Sequence, residues 1–106
     1  MVTLETANRL VGKIKEACRK NRDMVIVETN PELTDYTISY PTVAYTKGSS
    51  VGAPVRRVYG RAHLLEAVDP EHIRNLVSPK VAQNYHASAV TLAADGRRYF
   101  NLIRRK

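Results

Sequence analysis

A chain of 106 residues, 43% of them hydrophobic, has the length of one domain and enough apolar side chain to close a core without a metal or a disulfide. Its single cysteine, Cys18, has no partner within the chain, which argues against a disulfide-built secreted domain and for an intracellular setting. Net charge is +7, no apolar run nears the ~18 residues of a membrane span, and Glu5 interrupts the N-terminus before a signal-peptide pattern can form, so an anionic partner is favoured over a bilayer.

Thr3 is placed to cap a helix whose apolar positions, Leu4, Ala7, Leu10, Val11, Ile14, Ala17 and Cys18, recur at the helical period. Lys15, Arg19, Lys20 and Arg22 gather towards its C-terminal end, where cations complement the helix dipole. Gly12 lowers helix propensity and points to close packing at that turn. Met24 to Glu28 is rich in β-branched residues and predicts a buried strand, followed by a turn at Asn30-Pro31-Glu32. Tyr36, Ile38 and Tyr40 alternate with Thr37 and Ser39, and Val43 and Tyr45 continue the pattern beyond Pro41. A proline there predicts an edge strand or a bulge. Lys47 to Pro54 reads as a loop that lacks the Gly-Lys-Ser/Thr ending of a phosphate-binding loop.

Strict alternation over residues 55–65 would place Val58, Ala62 and Leu64 on one side of a strand. Val55, Arg57, Tyr59, Arg61, His63 and Leu65 would then share the other. Asp69-Pro70-Glu71 is a helix start with Asp69 as the cap; Ile73, Leu76 and Val77 face inward, and Ser78-Pro79 should stop the helix. Asp95-Gly96 marks a hairpin turn between strands at 85–94 and 97–105, favoured over an alanine-rich helix across 79–94 because His86–Leu92 has no clean helical stripe. The elements predict one α+β domain over residues 1–106. An N-terminal amphipathic helix packs on a mainly antiparallel sheet of about four to five strands, with a short second helix near 69–77. Leu10, Ile14, Ile26, Ile38, Val58, Leu64, Ile73 and Leu102 should be buried together.

Charge is unevenly spread. Residues 1–54 carry a net +1 and residues 55–106 a net +6, and eight of the ten basic residues in the second half are arginine, the side chain suited to phosphate and stacking contacts. Arginine interleaves with aromatics in Arg56-Arg57-Val58-Tyr59-Gly60-Arg61 and in Arg97-Arg98-Tyr99-Phe100. If both are strands, Arg57, Tyr59 and Arg61 share one face, as do Arg97, Tyr99, Asn101 and Arg105, with Phe100 and Leu102 pointing to the core. Such a face can neutralise phosphates and stack on unpaired bases. Its candidate residues are Arg56, Arg57, Tyr59, Arg61, Arg97, Arg98, Tyr99, Arg104 and Arg105. The same pattern is also what an ordinary solvated basic face presents, with arginine stems lying on tyrosine rings.

Enzyme signals are weak. His63, Glu66, Glu71 and His72 fit no short metal-binding spacing, Cys18 lies on an apolar helix stripe, and Asp69 and Glu71 are accounted for by helix capping. No catalytic residue, metal or cofactor is therefore expected. Gly60-Arg61-Ala62, Ala67-Val68-Asp69, Ile73-Arg74-Asn75 and the Asp95-Gly96-Arg97 hairpin with its basic tail resemble segments of the Alba chromatin-protein family. That family has a small α/β fold and binds DNA and RNA through basic residues and a hairpin. The resemblance needs a gap, has no counterpart for residues 30–54 or for the family's first strand, and transfers no residue role. The reading that emerges is a non-enzymatic nucleic-acid-binding protein using an Arg/Tyr sheet face and the C-terminal hairpin. The alternative is an interaction module, an inhibitor or assembly subunit, docking on an acidic protein, with an edge strand open to another copy.

Overall fold

The computed structural model describes residues 4–20, 22–45, 47–48 and 50–106, so the proposed Thr3 cap lies outside the described residues. In chain order the elements are α1 (Leu4–Cys18), β1 (Met24–Thr29), β2 (Asp35–Tyr45), β3 (Gly52–His63), α2 (Pro70–Val81), β4 (Tyr85–Ala87), β5 (Thr91–Leu92) and β6 (Arg98–Arg104). The strands form one antiparallel sheet in the order β3-β2-β1-β6-β4, with β5 beside β6. The two helices cover one face of that sheet, and among the described residues the other face carries no helix. This is the α+β architecture expected, with the N-terminal helix laid on the sheet.

The core fills the space between the layers. From α1 it takes Ala7, Leu10, Val11, Ile14, Ala17 and Cys18; from α2, Ile73, Val77 and Val81; from the sheet, Val25, Val27, Tyr36, Ile38, Phe100 and Leu102. Each large apolar side chain removed from water contributes roughly 1.5–3 kcal/mol. Gly12 faces outward with nothing within 4 Å of where a Cβ would sit, so it does not mark close packing. The β1 register carries the core across the sheet, Val25 opposite Leu102 and Val27 between Ile38 and Phe100. Two buried tyrosines tie loops to this core. Tyr36 Oη donates to the Val68 carbonyl at 2.7 Å, and Tyr85 Oη donates to the carbonyls of Cys18 at 3.1 Å and Arg22 at 2.7 Å.

Two expected core residues are not in the core. Ile26 is only half-buried, because β1 alternates and sends Val25, Val27 and Thr29 inward while Ile26 faces the helix-free side. Val58 is 46% exposed, because the β2–β3 register shifts between Ile38 and Ser39. Gly60 pairs with Ile38 and Val58 with Ser39, leaving Tyr59 as an extra residue, and a bulge of this kind reverses the facing of every residue beyond it. The proline at 41 does not end β2, which runs through to Tyr45. It stands where β1 has ceased to flank β2, so a missing N–H there costs no β1 ladder bond.

Asp69 caps α2 as the sequence implies, its carboxylate accepting from Glu71 N at 3.0 Å with Pro70 at the helix start. The helix does not stop at Ser78-Pro79 but continues to Val81. Pro79 deprives the Asn75 carbonyl of its helical donor, which an exposed residue tolerates because water can replace it. The C-terminal hairpin turns at Asp95-Gly96, where Gly96 adopts φ +90, Gly96 N donates to Ala93 O at 3.0 Å and Ala93 N to Arg97 O at 2.8 Å. Only glycine enters that left-handed region cheaply. The strand opposite β6 is not the continuous 85–94 of the sequence reading. It breaks over 88–90, where Ser88 N donates to Asn101 O at 2.8 Å and Ser88 Oγ accepts from Asn101 N at 2.9 Å.

Beyond Ser39, β2 pairs with β3 alone, so Tyr40–Tyr45 and Gly52–Arg57 form a two-stranded arm. The molecule measures 52 × 32 × 22 Å, with a radius of gyration of 14.5 Å against the roughly 13 Å of a compact chain this long.

Candidate nucleic-acid interface

The open sheet face can be followed row by row through the register. Arg61, Thr37, Glu28, Tyr99 and Thr91 form one row across β3, β2, β1, β6 and β5. Val58, Ser39, Ile26 and Asn101 form the next. Arg56, opposite Pro41, belongs to the same side because the bulge has turned it there. Glu28 lies at the centre with its carboxylate between two guanidinium groups from opposite margins, Arg56 Nη2 at 3.2 Å and Arg97 Nη1 at 3.4 Å. Arg97 also meets the Asp95 carboxylate at 3.3 Å. Both arginines remain about half exposed, so these pairs hold side chains in place more than they stabilise the fold.

The bulge therefore divides the predicted Arg57–Tyr59–Arg61 face. Arg61 is on the open side, whereas Arg57 pairs with Tyr40 on the side that bears the helices. Tyr59 packs against the core, with its hydroxyl beside Glu16 of α1; partial desolvation and then that carboxylate raise its pKa. In β6 the alternation holds for Phe100 and Leu102, both fully buried, and for Tyr99 on the open face. It puts Arg98, opposite the buried Thr29, and Arg104, opposite Tyr85, on the helix-bearing side. Arg97 and Arg98 thus diverge, and the expected continuous surface of Arg57, Arg61, Arg97 and Arg98 is split between two faces. Arg105 does not join Tyr99 and Asn101 either. Its Nε donates to Ala82 O at 2.8 Å and its N to Asn84 O at 2.7 Å, closing the end of α2.

A further arginine turns out to be structural. Arg74 donates through Nε to Ser88 O at 2.6 Å and through Nη2 to Ala87 O at 3.1 Å, bracing the chain where β4 ends. His63 pairs through Nδ1 with the Asp35 carboxylate on the open face. Cys18 is buried and desolvation pushes its thiol up to about 11, which removes thiolate reactivity at neutral pH. Among the described residues no three His, Cys, Asp or Glu side chains are grouped to hold a metal ion, and no helix is long and apolar enough to cross a membrane.

What the sequence reading missed is the arm. From Tyr36 to Leu65 the chain holds no acidic residue, while Lys47, Arg56, Arg57 and Arg61 are all basic. Folding concentrates that stretch into the β2–β3 ribbon and the sheet margin behind it. The signal available was this run without a carboxylate, together with Gly60, since a lone glycine in a strand pattern often accompanies a bulge. Comparison with protein-family models, curated proteins and solved structures finds no match to this chain.

Proposed function

We propose that this chain is a small, non-enzymatic nucleic-acid-binding protein that acts inside the cell, in the cytoplasm or on the nucleoid. The observation that carries this reading is the acid-free β2–β3 ribbon standing out from the sheet, with Arg56 and Arg57 at its base and Arg61 and Arg97 on the adjoining open face. Arginines at the base of a projecting ribbon and on the adjoining sheet face can meet successive phosphates, and each phosphate neutralised releases condensed counterions. Tyr99 on the same face offers a ring to an unpaired base. Protein purified without a high-salt wash should carry nucleic acid, seen as a raised 260/280 nm absorbance ratio that a high-salt wash removes. A protein-like ratio before the wash, with no gel shift of duplex or single strand at low salt, would sink the proposal.

A second reading, docking on an acidic protein, draws on the exposed apolar side chains Val43, Tyr45, Val51 and Val55 of the arm and its approach. Co-purification of one protein in fixed ratio, surviving nuclease treatment, would favour it. β3 is one edge of the sheet, and an edge strand is where a second copy would add a strand.

A further inference from the structure

We infer that the β2–β3 arm is a groove-binding element for double-stranded DNA, whose apolar face wedges against base pairs in the minor groove and bends the duplex. The inference rests on the nucleic-acid reading above and adds the partner and the mode of engagement. Pairing of Pro41 with Arg56, Val43 with Pro54 and Tyr45 with Gly52 puts Pro41, Val43, Tyr45 and Pro54 on one face of the ribbon. Gly52 corroborates this: a Cβ there would collide with Val43 Cγ1 and lie 3.0 Å from the Tyr45 ring, so both side chains lie across it. Val43 is 50% and Tyr45 66% exposed, an outlay of apolar surface that no contact within the described residues explains.

The choice of partner follows from what surrounds this face. A second copy of the arm would bring only like charges, because no carboxylate lies between Tyr36 and Leu65. Single-strand binding relies on a series of aromatic platforms, whereas this face carries one ring among aliphatic and proline side chains. Reading the major groove needs arginine, asparagine or glutamine at base edges, and the outer part of this face has none. Aliphatic and proline wedges flanked by cations are what minor-groove bending uses. Two strands about 4.8 Å apart, with side chains added, exceed a minor groove about 6 Å wide, so entry requires the groove to open. Opening the minor groove with a wedge kinks the duplex by roughly 20–90° towards the major groove.

The test uses the whole chain and a duplex of about three helical turns with a dye at each end. Saturating wild-type protein should raise energy transfer between the ends, and a central mismatch that weakens stacking should tighten binding at least about tenfold. Val43→Thr combined with Tyr45→Thr keeps residues that favour strands and should lose both effects while keeping the wild-type salt dependence. An unchanged thermal transition in that variant shows that the body is intact. Duplex binding with no change in transfer, preference for single strands, or a double-threonine variant that bends as well as wild type would each overturn the inference and leave nucleic-acid binding standing. Absence of binding to any nucleic acid would overturn both and favour the acidic-protein reading.

Discussion

The sheet body and the arm are built from the same strand pair, yet they obey different constraints. In the body, β2 is held between β1 and β3 beneath two helices, and Tyr36 and Ile38 are exposed to 1% or less. A few residues on, the same strand runs with β3 alone and Val43 and Tyr45 are exposed. The bulge at Tyr59 lies at the junction. It lets β3 serve the body with Gly60 and Ala62 facing the core and the arm with its phase reversed, and so delivers Arg56 to the open face. A two-stranded ribbon by itself is marginally stable in water, so the arm depends on the body for its position but contributes little to the body's stability.

The core and the arm should differ most in what a truncation costs. Phe100→Ala, at the middle of the sheet, should destabilise by about 3–5 kcal/mol, while Val43→Ala in the arm should stay within about 0.5 kcal/mol, both read from urea unfolding. Similar losses at both sites would mean the arm is part of the cooperative core. A titration reaches the body through Cys18. The unfolded thiol ionises near 9.0 and the folded one near 11, so between these values the unfolded chain has lost a proton that the folded chain keeps. Stability should therefore be level below pH 9 and fall as pH rises through that window. Burial also raises Tyr36 and Tyr85, which extends the fall to higher pH. Cys18→Ala should flatten the first part of the decline in a series of urea midpoints.

Smaller effects belong to the arm and the open face. Gly52→Ala forces Val43 and Tyr45 aside, so hydrogen exchange should quicken at Ala44 and Tyr45 while Val25, Val27 and Phe100 keep exchanging only by global unfolding. Uniform acceleration would contradict the separation of the two regions. Glu28→Gln should release Arg56 and Arg97 from their shared carboxylate and tighten nucleic-acid binding severalfold, by about 1 kcal/mol, in an anisotropy titration.

The body was more legible than the arm for a physical reason. The α1 stripe, the alternation that buries Phe100 and Leu102, and the Asp69-Pro70 helix start are each set by neighbours in sequence, so period and capping chemistry reveal them. The bulge is set by how two strands pair across some twenty residues, and strict alternation misplaced Arg56, Arg57, Val58 and Tyr59 as a result. The arginines could not be sorted from the sequence either. Arg74 and Arg105 reach carbonyls at Ala87, Ser88 and Ala82, which only the folded chain brings near them.

Phosphate contact by the open-face arginines would appear in the salt dependence of duplex binding, compared between wild type and the Arg56→Ala, Arg61→Ala double variant. Each phosphate contact should contribute about −0.9 to the slope of log K against log salt, so losing both arginines should make the slope shallower by about 1.8. Weakening should be about equal for unrelated sequences, because these contacts carry no base information. A variant with the wild-type slope, or a wild-type protein that binds neither duplex nor single strand at low salt, would overturn phosphate contact by these arginines.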